Sequence, residues 1–243
     1  RALCDNSGFP MRRRMACGPA SRGPHRSCLV PELEQITLTA GEKSVDMPVL
    51  HPTLGQPCID IARLPKETGC FTYDPGFGAT ASCKSAITYI DGDKGVLLYR
   101  GYPIEQLAEK SSFLEVAYLL MNGELPTQSE FAAFDHEVTH HTMMHESLKN
   151  FLGGFNHDAH PMAMLCASVA SLFAFYHDTL DLNDPEQRRL AAIRLIAKVP
   201  TIAAACYRYS IGWPIRYPRN NLEFTTRFLH MMKEVPSEPL ELN

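Results

Sequence analysis

The chain has 243 residues, 45% of them apolar and 21% charged, which is enough for one large folded domain and a small appendage. These fractions are typical of a globular protein and exclude a wholly disordered chain. The net charge of −4 argues against a nucleic-acid-binding surface, and the longest apolar run is too short and interrupted to span a bilayer. We therefore predict no nucleic-acid or membrane partner.

Eight cysteines are spread along the chain without a Cys-x-x-Cys pair. A chain of this length with this much apolar sequence does not need disulfides to fold. The two cysteines at positions 166 and 206 lie in apolar helical patterns. We therefore predict reduced, mostly buried thiols in a cytosolic protein.

Residues 1–33 differ in composition from the rest of the chain. The segment MRRRMACGPASRGPHRSC is rich in Arg, Gly and Pro, and an Arg-rich, acid-poor leader can be a mitochondrial transit peptide. Pro19 and Pro24 would break the amphipathic helix of such a peptide. We favour a disordered or artefactual leader, with Met11, Met15 or a later residue as the true start.

Residues 34–100 carry the pattern of a small antiparallel β domain. The segment QITLTA alternates apolar and polar residues, and CFTYDPGF sets aromatic strand residues before a Pro-Gly turn. Further along, KSAITYI and GVLLYR flank the turn sequence DGDKG, which predicts a hairpin. Arg100, directly after this hairpin, is predicted to pair with nearby carboxylates.

Residues 101–243 are predicted to be helical. Two capping boxes each mark the start of a helix: Ser112 with Glu115, before a helix that stops at Gly123, and Thr127 with Glu130, before a helix that runs to about residue 150. Three further helices are predicted, over about 162–177, 185–211 and 222–233. The first is apolar nearly all round, which predicts a central place in the core. The second is predicted to have a cap at Asp184, a capping box completed by Gln187, and a kink at Pro200.

Several segments resemble, in collinear order, the citrate synthases. They are IDGDKGVLLYRGYPIEQLAEKSSFLEVAYLLMNGELPT at 90–127 and, further on, HTMMHE, DAHPMAMLCASVASLFAFYHD, AAIRLIAKVPTIAA and YRYSIGWPIRYPRN. The resemblance is to the N-terminal half of the long, type II bacterial form. It implies a mainly α fold, with part of a large helical domain at 101–243 behind the small antiparallel β domain. It also implies a homo-oligomer (dimer or hexamer), and favours the bacterial cytoplasm over the mitochondrion.

Enzymes of this family condense acetyl-CoA with oxaloacetate to give citrate and CoA, the entry step of the tricarboxylic acid cycle, without a cofactor or metal. One catalytic histidine of the family lies in an LHADHE-like segment and another in a GPxHGGA-like segment, and a catalytic Asp follows later; this sequence lacks these motifs. We expect those residues beyond Asn243, assign no catalytic residue, and predict that residues 1–243 alone are inactive. The alternatives are a 2-methylcitrate synthase that uses propionyl-CoA, and a non-catalytic nucleotide-binding or oligomerisation module.

The resemblance also implies an allosteric NADH site within this chain. Its candidate residues are His141, Thr142, Tyr176, Arg194 and Lys198. Arg194 and Lys198 are spaced i,i+4 on one helix face, so two cations can meet a pyrophosphate, and Tyr176 can stack on the nucleotide. His140 departs from the pattern, because NADH-sensitive members carry Arg there, and a neutral imidazole weakens phosphate binding.

Other histidines and arginines favour structural interpretations. The i,i+4 pairs His136/His140 and His141/His145 lack a Cys and the HExxH pattern, which predicts a solvated helix face and no zinc site. His160 and the His177–Asp178 pair flank the apolar helix and are predicted to cap it. The loop that carries Arg216 and Arg219 is predicted to be a packed surface loop.

Overall fold

The computed structural model describes residues 33–235 and 237–238, so the predicted leader lies outside the described residues apart from Leu33. The chain divides between Cys83 and Lys84 into two compact units. The fold is mainly helical with small antiparallel sheets, as the sequence predicted.

The first unit contains a small antiparallel sheet and one short helix. The strands β1 (Gln35–Ala40), β2 (Lys43–Leu50) and β3 (Cys58–Ile59) pair in that order, and α1 spans Leu64–Thr68. The strand predicted from the alternation in QITLTA is confirmed: this segment is β1, and it pairs with β2 from Gln35↔Pro48 to Ala40↔Lys43. Among the residues of this unit that the structure describes, the buried ones are Val45, Met47 and Leu64.

The aromatic segment at 70–77 is not a strand, and the prediction there was wrong. Phe71 is 83% exposed and Tyr73 is 91% exposed, so neither ring has a sheet face to pack on. The carboxylate of Asp74 instead accepts hydrogen bonds from the N–H groups of Gly78 and Ala79, at 3.1 and 2.9 Å. This side chain satisfies the backbone locally, which favours a turn over a strand.

The second unit begins with the predicted hairpin and continues as helices. Its strands are β4 (Thr88–Asp91), β5 (Val96–Tyr99) and β6 (Tyr102–Pro103), and its helices are α2 (Ile104–Lys110), α3 (Phe113–Asn122), α4 (Gln128–His140), α5 (Ser147–Leu152), α6 (Pro161–Ser171), α7 (Pro185–Ser210) and α8 (Phe224–Lys233). Short 3-10 turns cover Leu172–Ala174 and His177–Thr179. The hairpin groups with the helices because β6 leads directly into α2, so the division falls before the predicted boundary at 100.

Arg100 contacts backbone carbonyls rather than the predicted carboxylates. Its Nη2 donates to the carbonyl oxygen of Leu120 at 2.8 Å and its Nη1 to that of Ala86 at 3.4 Å. The guanidinium therefore joins the hairpin to the last turn of α3, where orphan carbonyls carry the negative end of the helix dipole. A cation at this end needs no acidic partner.

Both predicted capping boxes are confirmed, but the helix after the second one is shorter than predicted. It ends at His140, and residues 141–146 form a loop before α5. The carbonyls of this loop accept hydrogen bonds from α7: Lys198 Nζ donates to His141, and Thr201 Oγ1 donates to Thr142 at 3.0 Å. These tertiary hydrogen bonds replace the hydrogen bonds of a continued helix. A local sequence pattern does not reveal such tertiary contacts.

Helix α7 is the central helix of the second unit, whereas the sequence indicated α6. One buried cluster joins α5, α6 and α7 around Leu148, Met164 and Ile202, and another joins α3, α4 and α7 around Phe134 and Ile193. α7 takes part in both. It is also long and apolar enough, by length and composition, to cross a bilayer, and its residues form much of this core.

The predicted cap of α7 is confirmed, but the capping box is not. The Asp184 side chain accepts a hydrogen bond from the backbone N–H of Glu186, as expected of an N-cap. Gln187 does not complete a reciprocal box, because its Oε1 accepts from the N–H of Asp181 instead. The helix is continuous through Pro200 to Ser210, and the kink at Pro200 stays a prediction.

Arg208 on α7 forms hydrogen bonds with the C-terminal end of α8. It is fully buried, and its Nη1 donates to the carbonyl oxygens of Met232 and Glu234 at 3.2 and 2.9 Å. The Glu234 carboxylate in turn lies 3.2 Å from Nδ1 of buried His230. Burial and the nearby arginines lower the pKa of His230, with Glu234 opposing the shift.

Of the five cysteines that the structure describes, all are free thiols and only Cys206 is buried. Burial raises the pKa of the Cys206 thiol. Cys166 is exposed on α6, so the prediction of mostly buried thiols is wrong for this part of the chain. The apolar pattern of α6 did not distinguish its outer face, where Met162 is also 61% exposed.

Candidate functional site

The five predicted nucleotide-site residues lie together in the second unit. They come from three segments: the loop after α4, the turn after α6, and the third and fourth turns of α7. The guanidinium carbon of Arg194 lies 4.7 Å from the ring centroid of Tyr176, and Lys198 Nζ lies 4.9 Å from the same centroid. We refer to His141, Thr142, Tyr176, Arg194 and Lys198 as the Tyr176 cluster.

Two cations on one phenol ring form the centre of this cluster. A cation over an aromatic face is attracted to the ring quadrupole, most strongly where water is excluded. Tyr176 is half-buried, and burial raises the pKa of its hydroxyl, so the ring stays neutral near pH 7. The ring therefore holds the two side chains near each other despite their like charge.

Lys198 is buried and already supports the loop after α4. Its side chain is 3% exposed, and its Nζ donates to the carbonyl oxygen of His141 at 2.7 Å and to that of Met143. Burial, followed by the charge of Arg194, lowers its pKa to about 8. The ammonium is mostly protonated at pH 7, and two of its three donors are used by the loop.

Thr142 also has a structural role. Its hydroxyl donates to the carbonyl oxygen of Thr139 at 3.0 Å and lies 3.4 Å from Oδ1 of Asn220. Its own carbonyl accepts from Thr201 at 3.0 Å. The hydroxyl is thus turned toward the protein, and a contact from Thr142 to a nucleotide stays a prediction.

Arg194 forms a two-pronged ion pair with a residue that the sequence analysis assigned to helix capping. Its Nη1 and Nη2 lie 2.6 and 2.7 Å from the two carboxylate oxygens of Asp178. This contact lowers the pKa of Asp178 and raises that of Arg194. The side chain of Asp178 is 61% exposed and that of Arg194 is 13% exposed, so the pair lies at the surface of the cluster.

The two histidines at the end of α4 differ in environment. Burial lowers the pKa of His141, and the charges of Arg194 and Lys198 lower it further, so its imidazole is neutral at pH 7. His140 is exposed, its ring lies 3.9 Å from that of His136, and its Nδ1 lies 2.6 Å from the His136 carbonyl oxygen. The cations of the Tyr176 cluster at neutral pH are therefore Arg194 and Lys198.

The remaining histidine predictions concern local structure. His160 caps α6, since its Nδ1 accepts from the N–H of Met162 at 3.2 Å. His145 stacks on Phe175 with a centroid distance of 4.8 Å, and its Nδ1 accepts from the N–H of Ser147. These contacts give both rings structural partners.

Two surface clefts lie elsewhere in the second unit. One, of about 320 Å³, is lined by residues of α3, α4 and α8 that include Phe113, Asp135 and Arg227. The other, of about 240 Å³, lies beside the Glu137–Arg189 ion pair. No residue of the Tyr176 cluster lines either cleft.

Asp178 is the site residue whose role the sequence did not reveal. Asp178 and Arg194 lie 16 residues apart in the sequence, so no local pattern links them. The neighbouring His177 suggested instead a helix cap or an acid–base pair. A carboxylate two residues after a candidate aromatic residue was the available signal. No local pattern indicates which of the cations nearby it would meet.

The model of the family described as citrate synthase, C-terminal domain, matches residues 76–242 of this chain. Two solved structures share about a third of the aligned residues. The citrate synthase from Pyrobaculum aerophilum is 31% identical over 76% of this chain, with a TM-score of 0.58. The one from Thermotoga maritima MSB8 is 33% identical over 70% of this chain, with a TM-score of 0.58.

A third structure is the citrate synthase of the archaeon Thermoplasma acidophilum, in a ternary complex with carboxymethyl coenzyme A and oxaloacetate. It is 25% identical over 63% of this chain, with a TM-score of 0.59. The matches cover 44%, 43% and 40% of the lengths of the three proteins, in the order given. This chain thus spans less than half of each.

Proposed function

Because this chain belongs to the citrate synthase family, we propose that it serves the condensation of acetyl-CoA with oxaloacetate to citrate and CoA. The observation that carries the proposal is the family match across residues 76–242. In this reaction a base removes a proton from the methyl group of acetyl-CoA, and the resulting enol attacks the keto carbon of oxaloacetate. Water then cleaves the citryl thioester, which releases CoA and completes the balance of atoms.

We propose that the groups for these steps lie outside residues 1–243. General acid–base catalysis needs a carboxylate and imidazoles held on either side of the forming bond. The motifs that hold them in the family are absent from this sequence. Thiol release from acetyl-CoA and oxaloacetate tests the proposal: residues 1–243 alone should give none, and release at the rate of an intact enzyme would contradict it.

The acyl substrate distinguishes the first alternative. A 2-methylcitrate synthase prefers propionyl-CoA, whose one extra methylene changes affinity by about 10- to 200-fold in a shaped pocket. The long form with a small β domain in front, proposed from the sequence, favours acetyl-CoA. The kcat/KM for both thioesters, measured on a protein that includes the remaining length of the relatives, decides between them.

We also propose a cytoplasmic homo-oligomer, a dimer or hexamer, in a bacterium. Large apolar side chains of the second unit are exposed, among them Met162 at 61%, Phe173 at 59% and Leu182 at 57%. A subunit interface would cover such side chains, since exposed apolar patches commonly mark interaction sites. Sedimentation velocity over a range of concentrations tests the proposal, and a monomer at every concentration would contradict it.

NADH is the second ligand that we propose, at the Tyr176 cluster, as an allosteric effector. The supporting observation is that Arg194 and Lys198 face one aromatic ring. A pyrophosphate can accept charge-assisted hydrogen bonds from both, and Tyr176 can stack on a base or nicotinamide. The same binding without catalysis would support the alternative of a nucleotide-binding module.

Fluorescence titration with NADH tests this site. Arg194→Gln should weaken binding about tenfold or more, because a charge-assisted bond to phosphate is lost. Arg188→Gln on the same helix is the matched control, since Arg188 is exposed and its Nη1 donates to the Leu182 carbonyl. Absence of saturable binding to the unsubstituted chain would contradict the site.

A further inference from the structure

An anionic side chain of the protein, Asp178, contacts the Tyr176 cluster. Asp178 places both carboxylate oxygens on the two terminal nitrogens of Arg194, at 2.6 and 2.7 Å. A phosphate group that approached Arg194 would use the same two N–H groups, because guanidinium binds carboxylate and phosphate in the same forked geometry. The ion pair and the ligand cannot both occupy this face of the arginine.

We propose that Asp178 is a displaceable internal counter-ion that competes with phosphate groups for Arg194 and so sets the affinity of the cluster for nucleotides. This rests on the proposed NADH site and specifies how that site is regulated. Asp178 is suited to exchange, because its side chain is 61% exposed and lies in a short 3-10 turn rather than in a long helix. Because this carboxylate is in contact with water, it is solvated when it is released, while the phosphate of the ligand takes its place on Arg194.

The charges around the cluster support the competition. At pH 7 the cations are Arg194 and Lys198, His141 is neutral, and Asp178 is an anion in contact with Arg194. The charge of Glu137 also affects the pKa of His141, which it raises, but Glu137 forms an ion pair with Arg189. Release of Asp178 leaves two positive charges near Tyr176, which matches the charge of a pyrophosphate diester.

The same contact predicts selectivity among anions. A single exposed carboxylate is displaced only by a ligand that offers more than one interaction, such as a pyrophosphate that reaches Arg194 while its base stacks on Tyr176. Inorganic pyrophosphate has the charge but no ring. It should therefore bind more weakly than NADH, whereas removal of Asp178 should raise the affinity of both ligands by a similar factor, because both must displace the same carboxylate.

The test is a calorimetric titration of NADH and of inorganic pyrophosphate into the full chain and into Asp178→Asn. The variant should bind NADH about two- to fivefold more tightly, the range expected for removing a competing ion pair with one exposed partner. Asp158→Asn is the charge-matched control, since Asp158 is exposed in the loop before α6. It should leave both affinities unchanged.

A double variant assigns the effect to Arg194. If Asp178 acts by occupying Arg194, then Asp178→Asn should give no gain in an Arg194→Gln background. Equal NADH affinity of the unsubstituted chain and Asp178→Asn overturns the competition but leaves the NADH site intact. Binding seen only in Asp178→Asn upholds the competition and overturns NADH binding by the natural chain, whereas binding in neither overturns both.

Discussion

Lys198 carries an ammonium group in a nearly water-free position, and its pKa of about 8 places its titration just above neutral pH. The shift from 10.5 corresponds to about 3 kcal/mol against the charged form, from burial first and from the charge of Arg194 second. The charged form donates hydrogen bonds to the carbonyls of His141 and Met143. A nearby phosphate would favour the charged form and raise the pKa again.

The affinity for NADH should therefore fall as the pH rises through 8. Below this pH Lys198 is already protonated, whereas above it binding requires uptake of a proton, which costs at most about tenfold in affinity per pH unit. The measurement is the dissociation constant of NADH at pH 7, 8 and 9. Lys198→Gln, which keeps N–H donors for the loop carbonyls, should bind more weakly and show no such slope; an equal slope in this variant would refute the role of Lys198.

His230 should make the second unit less stable in mild acid. Its pKa is lowered from 6.5 by burial, so the unfolded chain binds the proton more readily than the folded one. Stability from this group is complete above the unfolded pKa of 6.5 and is lost as the pH falls below it, by up to about 1.4 kcal/mol per pH unit.

Urea unfolding at pH 7.5, 6.5 and 5.5 measures this slope. His230→Asn should reduce it, while His136→Asn, a substitution of an exposed histidine on α4, should leave it unchanged. His141 has a lowered pKa for a similar reason and will retain part of the slope in both variants. The same slope in His230→Asn as in the unsubstituted chain would contradict the assignment.

At the level of secondary structure, the capping box of α3 is the feature most easily tested. The Ser112 hydroxyl accepts from the N–H of Glu115, and the Glu115 carboxylate accepts from the N–H of Ser112 at 2.6 Å. Ser112→Ala leaves a helix N–H unsatisfied and should lower the free energy of unfolding by about 1 kcal/mol.

Ser147→Ala is the control for this prediction. Ser147 is exposed at the start of α5, and its hydroxyl makes no hydrogen bond to the described part of the chain. The control should change the free energy of unfolding by less than half a kcal/mol. Equal effects of the two substitutions would show that the α3 box contributes nothing.

The helix starts were predictable because caps are local. Ser112 and Thr127 meet their partners three residues away, so four letters of sequence contain the whole interaction. The end of α4 was not predictable in this way. It depends on Lys198 and Thr201, which bind the loop carbonyls from more than fifty residues away and compete with continued helix.

The same distinction explains the Tyr176 cluster. The resemblance identified its five residues, and the i,i+4 spacing placed Arg194 and Lys198 on one face of α7. That spacing does not reveal which acceptors the cations meet. Asp178 and the carbonyl of His141 come from two other segments, and only the packing of α4, α6 and α7 brings them to the cations.

At the scale of the whole molecule, α7 contributes side chains both to the core and to the exposed surface of the second unit. Only 44% of its most apolar window is buried, although the helix contributes to both hydrophobic clusters of the second unit. Ile202 is fully buried, whereas Leu195 on the same helix is 42% exposed. If the protein forms a homo-oligomer, this exposed part of α7 is one of the surfaces available to a subunit interface.

A pair of substitutions on α7 separates core packing from association. Ile202→Ala should lower the free energy of unfolding by about 2–5 kcal/mol, because it removes buried methyl groups and leaves a cavity. Leu195→Asp should change stability little at low protein concentration, but should shift the sedimentation profile toward the monomer, since a charge at a covered apolar position opposes association. An unchanged association state in Leu195→Asp would show that this part of α7 faces water in the assembly, and the interface would then have to lie elsewhere.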